Sequence, residues 1–85
     1  GKEMEIGRYY QQNGEFFAAI GRFNNVIKEY QTTSHTPEAL LRITEAYLAL
    51  GISTEAKKSA EVLALNFPES EWNEFATDLI QRQAN

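Results

Sequence analysis

The chain has 85 residues, 42% of them hydrophobic and 24% charged, which allows one domain with a modest core and is too apolar for disorder. A net charge of -4 and a pI near 4.9 argue against a nucleic-acid surface, which would carry a basic stripe. There is no cysteine, no His/Asp/Glu cluster at metal-ligand spacing, no apolar run near the length of a membrane span and no signal peptide.

Apolar residues recur at helical spacing through five segments. The first runs over about 2–12 with Met4, Ile6, Tyr9 and Tyr10, and stops at Asn13-Gly14, residues that tolerate the left-handed backbone of a helix end. The second covers about 15–30, where Phe16, Ala19, Ile20, Phe23, Val26 and Ile27 form one stripe. A polar loop over 32–36 follows. Thr36 is the expected N-cap of the third helix, with Pro37 in its first position and Glu38 near its positive end. That helix, about 37–50, carries Leu40, Leu41, Ile43, Ala46, Tyr47 and Leu48 and ends at Gly51. The fourth, about 53–66, is expected to start from a Ser53 cap, runs through Ala56, Ala60, Leu63 and Ala64, and is closed by Pro68. The fifth, about 70–83, places Trp72, Phe75, Ala76, Leu79 and Ile80 on one side. Nothing alternates like a strand, so the fold class is all-α. Gly1, followed at once by helix formers, reads as the start of an excised fragment.

An internal repeat organises these helices. Ile6 and Ile43, Tyr10 and Tyr47, Gly14 and Gly51, and Ala19 and Ala56 all stand 37 residues apart, between matching helix signals. The pattern resembles the tetratricopeptide repeat: Ile6, Gly7, Tyr10, Gly14, Ala19, Phe23 and Val26 in residues 2–31, then Leu40, Ile43, Tyr47, Gly51, Ala56, Leu63 and Pro68 in residues 37–68. Three positions depart from it: Gln31 for Pro, Thr44 for the small residue and Ala60 for the aromatic. The family period is about 34, so the longer period here puts roughly three extra residues in the inter-repeat loop. The expected architecture is a two-repeat helical solenoid with residues 70–83 as a capping helix, because a solenoid end must be covered.

A solvated loop histidine is the ordinary reading of His35, which has no carboxylate or nucleophile at a suggestive spacing. Ser and Thr sit where capping explains them, and Glu69, Glu71 and Glu74 are first-turn charges. An enzyme therefore has nothing to stand on, and no cofactor is implied. What remains is surface. By the repeat resemblance, Met4, Arg8, Gln11, Gln12, Glu38, Leu41, Glu45, Leu48 and Ala49 face a concave groove. Leu41 and Leu48, two turns apart, are exposed there for a partner or a second copy, unless the fifth helix covers them. Glu45 would repel a peptide carboxylate, which argues against a carboxylate clamp.

A closer resemblance lies in Glu5–Gly14 (EIGRYYQQNG), Ala18–Phe23, Glu45–Gly51 and Leu65–Ser70 (LNFPES). These are similar to the C-terminal repeats of the BamD family of outer-membrane assembly lipoproteins, over about Met4 to Ser70. The resemblance implies a non-enzymatic protein-binding module at the periplasmic face of a Gram-negative outer membrane. Its implied partner is the periplasmic part of the BamA-type barrel-inserting protein, with an accessory lipoprotein in some lineages. The family's anchor is a lipidated Cys, which this sequence does not contain. The partner surface implied is the inter-repeat loop and its flanks, Arg22, Lys28, Tyr30, His35, Glu38 and Arg42, with Leu41 and Leu48 in the groove. Two alternatives are a repeat module of a periplasmic coordinator of envelope constriction and a purely structural or self-associating segment.

Overall fold

The computed structural model describes residues 2–29 and 34–84, and among them there are five helices and no strand. They are α1 (Lys2–Gln12), α2 (Phe16–Glu29), α3 (His35–Ala49), α4 (Ser53–Asn66) and α5 (Glu71–Ala84). Each of α1 to α4 packs on its sequence neighbours, and α5 lies against both α3 and α4. Successive antiparallel hairpins stacked this way make a tetratricopeptide-like solenoid in which α1, α3 and α5 occupy equivalent places.

The hairpin turns follow from two glycines. In the first, the Gly14 amide donates to the Gln11 carbonyl and the Glu15 amide to the Tyr10 carbonyl; in the second, Gly51 donates to Leu48 and Ile52 to Tyr47. Both are Schellman closures, which need a left-handed residue, and Gly14 and Gly51 each have φ +77°. An added Cβ at Gly51 would meet no atom within 4 Å, so any cost of substitution lies in the backbone alone. Gly51→Val is accordingly expected to lower unfolding free energy by about 1–3 kcal/mol, because a β-branched residue is strained at positive φ. Chemical denaturation followed by far-ultraviolet circular dichroism measures this.

Helix starts differ from the sequence expectation in two places. Helix α3 begins at His35 with Ser34 in the N-cap position, so Thr36 is not the cap but a buried residue of the first turn. Pro37 still fits, since its missing amide lies in a turn where amides have no helical partner. Ser53 is likewise the first residue of α4 and not its cap, the N-cap position being held by Ile52. At α5, Ser70 stands just before the first helical residue, and its hydroxyl accepts from the Trp72 amide. Of the expected loop over 32–36, residues 32 and 33 lie outside the described residues, and His35 and Thr36 are helical.

Two hydrophobic clusters hold the stack together. Met4, Ala19, Phe23, Val26, Ala39 and Ile43 join α1, α2 and α3, flanked by Tyr10 and Tyr47. Leu40, Leu41, Leu63 and Ala76 join α3, α4 and α5, with Trp72, Phe67 and Leu79 packed on them. Ile27 touches both. Leu41 is 2% exposed, so the fifth helix does cover it. It is not available for a partner or a second copy on the described surface, and Leu48 is half-buried.

Candidate functional site

The concave side is built from α1, α3 and α5, and its polar residues are bound to one another. Glu38, in the first turn of α3, is 8% exposed. Its two carboxylate oxygens accept from Arg8 of α1 through Nε and Nη2, both at 2.9 Å, a bidentate pair. Arg42, one turn further along α3, donates to Glu38 at 3.3 Å and to Glu45 at 3.0 Å. Gln11 of α1 donates to Glu45 at 3.1 Å. The Arg42 guanidinium also lies 5.5 Å over the Trp72 ring of α5, and Trp72 meets Phe75 edge-on at 5.8 Å. A continuous strip, Arg8–Glu38–Arg42–Trp72, therefore crosses all three helices.

Electrostatics follow the geometry. The hydrogen bonds from Arg8 hold the Glu38 carboxyl below its ordinary range, with Arg42 adding to the effect against the opposing cost of burial. The Arg8 guanidinium is held correspondingly more firmly protonated by Glu38. Beside this strip lies a recess of about 390 Å³ between α1 and α3, edged by Arg8, Gln11, Phe16, Arg42 and Glu45. Another of about 290 Å³ between α3 and α5 shares Arg42 and Glu45 and adds Trp72, Phe75 and Asp78. With two guanidiniums answered by two carboxylates, this surface has no strong preference for either sign of ligand. Among the described residues no group of three or more His, Asp or Glu side chains is arranged to hold a metal ion, and no helix is long and apolar enough to cross a membrane.

The residues expected to contact a partner fall into three groups. Glu38, Leu41 and Arg42 come together on α3, but Glu38 and Leu41 are buried, and only Arg42 is partly accessible. Lys28, in the last turn of α2, and His35, at the start of α3, are exposed at the junction between the repeats. Arg22 stands apart. It donates to Glu3 at 3.0 Å and lies 6.0 Å from the Tyr10 ring centroid, so it fastens α2 to α1. Asn25 and Arg22 together hold the Glu3 carboxyl below its ordinary range. Tyr30 lies outside the described residues. The sequence reading missed the Arg8–Glu38 pair, which spans 30 positions; the available signal was that Arg8 and Glu45, opposite in charge, hold equivalent positions in the two repeats.

Comparison with known proteins bears on the chain as a whole. A family profile described as "YfiO: Outer membrane lipoprotein" matches residues 1–63. The chain is 60% identical over 72 residues to the outer membrane protein assembly factor BamD of Caulobacter vibrioides, covering 85% of this chain and 24% of that protein. It is 48% identical to BamD of Rickettsia prowazekii over 85 residues, 100% of this chain and 34% of the relative. BamD of Neisseria meningitidis is 39% identical over 70 residues, 82% of this chain and 26% of its own length. The chain thus spans between a quarter and a third of the length of these relatives. With the profile covering most of its length and the helices falling as a repeat of this kind requires, the chain belongs to the BamD family of outer membrane lipoproteins.

Proposed function

We propose that this chain is a protein-binding segment of an outer membrane protein assembly factor. In this reading it takes the periplasmic domains of the BamA-type barrel-inserting protein, and in some lineages an accessory lipoprotein, at the periplasmic face of the outer membrane. The observation that carries the proposal is the similarity to proteins named as assembly factors along the whole of the chain. The physical setting agrees with it: a helical stack whose charges are paired across α1 and α3, with Arg42 reaching over Trp72 of α5, presents a rigid surface of the kind that recognition uses.

The edge between α2 and α3 is the contact surface in this proposal, with Lys28 and His35 as its accessible members; Tyr30, also of the proposed set, lies outside the described residues. Glu38 and Leu41 act behind it, Glu38 by tying α3 to α1 and Leu41 by seating α5, while Arg42 and Leu48 border the groove. Lys28 is the informative residue to change. It is exposed, so charge reversal there leaves the core alone, whereas Arg22→Glu would set a carboxylate against Glu3 and loosen the first hairpin.

Calorimetric titration with the periplasmic domains of the cognate barrel-inserting protein tests the proposal. Saturable binding is expected, weakened about threefold or more by Lys28→Glu and further by added salt, as for a rim charge. A folded chain that binds nothing at high concentration would overturn it.

A further inference from the structure

The strip Arg8–Glu38–Arg42–Trp72 joins two helices that do not otherwise meet. Helix α1 packs on α2 and α3, and α5 packs on α3 and α4, but α1 and α5 do not pack on each other. The connection between them runs through a carboxylate and a guanidinium of α3. Glu38 Oε2 accepts from both Arg8 Nε, at 2.9 Å, and Arg42 Nε, at 3.3 Å. Two donors compete for one oxygen, and the shorter bond goes to Arg8, which also takes Oε1 at 2.9 Å. Glu38 therefore holds Arg42 only loosely. That leaves Nη1 of Arg42 to donate to Glu45, at 3.0 Å, and its guanidinium carbon 5.5 Å from the Trp72 ring centroid.

Trp72 stands where that contact acts on the cap. It is the second residue of α5, and its amide is bound by the Ser70 hydroxyl. Its ring packs on the cluster of Leu40, Leu41, Leu63 and Ala76 and meets the exposed Phe75 edge-on. The first turn of α5 is thus fastened to α3 by an aromatic side chain that one cation covers.

We propose that Arg42 is a relay through which the α1–α3 pair sets how firmly the first turn of α5 is seated. With Arg8 in place, Glu38 is satisfied and Arg42 stays over Trp72. When Arg8 leaves Glu38, a carboxylate whose side chain is only 11% exposed keeps Arg42 as its neighbouring guanidinium. A half-satisfied carboxylate with so little access to water draws that cation strongly. Arg42, one turn along the same helix, has the planar fork to take both oxygens, and in doing so withdraws from Glu45 and Trp72. Arg42 also borders both concave recesses, so an anion that engaged Arg8 in the α1–α3 recess would loosen α5 as deletion of Arg8 does.

Ordinary stacking is the competing account, since whatever loosens one helix of a solenoid weakens its neighbours. Arg22 supplies the control. Its bond to Glu3 also fastens α1, but it lies off the strip. The test is amide hydrogen exchange of the 85-residue chain read by NMR, together with the indole resonance of Trp72, the one tryptophan of the chain. Arg8→Met is expected to shift that resonance and to speed exchange at Phe75, Ala76 and Leu79 about two- to fivefold, the ratio that one lost cation–π contact corresponds to. Arg42→Met should do the same, and Arg8→Met added to it should change neither further. Arg22→Met should leave both within error. Arg8→Lys, which keeps the charge but loses the fork, takes the place of Arg8→Met if the methionine chain does not fold, with the same direction expected. Equal acceleration at α5 by the Arg8 and Arg22 variants would assign the effect to stacking and overturn the relay. So would further acceleration when Arg8→Met is added to Arg42→Met, or an unmoved Trp72 resonance in the Arg8 variants.

Discussion

Phe23→Ala should lower the unfolding free energy by about 3–5 kcal/mol, the range for deleting a fully buried aromatic side chain. Phe23 is 0% exposed and lies against Gly7, where an added Cβ would come within 2.5 Å of the ring. A ring buried on all sides cannot swing away, so Gly7→Thr should also destabilise, by about 1–3 kcal/mol through overpacking. Thirty-seven residues on, the same two positions hold Thr44 and Ala60, with the small and the large partner exchanged. Thr44 is buried and satisfies its hydroxyl by donating to the Leu40 carbonyl of its own helix at 2.9 Å. The second repeat thus displays a packing solution that the first can be given. Gly7→Thr combined with Phe23→Ala should cost less than the sum of the two single changes by about 1–3 kcal/mol, the coupling expected of residues in contact. Urea denaturation followed by circular dichroism measures all three variants. A domain of this length holds only about 5–10 kcal/mol in total, so Phe23→Leu is the substitute if the alanine variant is unfolded. Additivity within about 0.5 kcal/mol would show that the two positions do not share one space.

That exchange explains how far the repeat could be read from the residues. The periodicity that pairs Tyr10 with Tyr47 and Gly14 with Gly51 sets helix count, turn position and stacking order, because each is a local demand of backbone and apolar spacing. Thr44 and Ala60 look like departures when each is judged alone; together they place the larger partner on the first helix of the repeat and the smaller on the second, the reverse of Gly7 and Phe23. Helix starts were less legible. Ser34, His35 and Thr36 all precede Pro37, and any polar residue there satisfies the composition of an N-terminus, while the choice among them depends on what Thr36 is buried against. The place of α5 was equally open, since its apolar face fits either the end of the stack or the groove. The burial of Leu41 with Ala76 decides it: the helix continues the stack and covers the groove floor at that point.

The site was less legible than the fold, for a reason of charge. Sequence reading treats an acid or base on a helix as a candidate for contact with the outside. Arg8, Glu38, Arg42 and Glu45 instead meet one another, at spacings that only the stacking of α1 on α3 creates. Arg22 is consumed in the same way by Glu3. Lys28 and His35 are the exposed members of the candidate set, and their position at the repeat junction depends on the stacking too.

Glu38→Gln should lower stability at neutral pH by about 1–3 kcal/mol, less than the cost of breaking a fully enclosed pair because Arg8 and Arg42 can still be hydrated. Their side chains are 37% and 29% exposed, against 11% for Glu38. The pH dependence separates charge from shape. The Glu38 carboxyl is held below its ordinary range in the folded chain, principally by Arg8, and returns to that range on unfolding. The unfolded chain therefore takes up the proton first as pH falls. The contribution of Glu38 is fully present above the ordinary carboxylate range and is lost as pH drops through the lowered folded value. Glu3 behaves in the same sense, so the parent chain alone cannot assign the acid loss to one group. The difference between parent and Glu38→Gln can. It should be constant from about pH 6 to 8 and shrink steadily below about pH 4.5 as the parent is protonated. A difference that stays constant into acid would mean that Glu38 contributes through packing and neutral hydrogen bonds, and that the Arg8–Glu38–Arg42 strip is not held by charge.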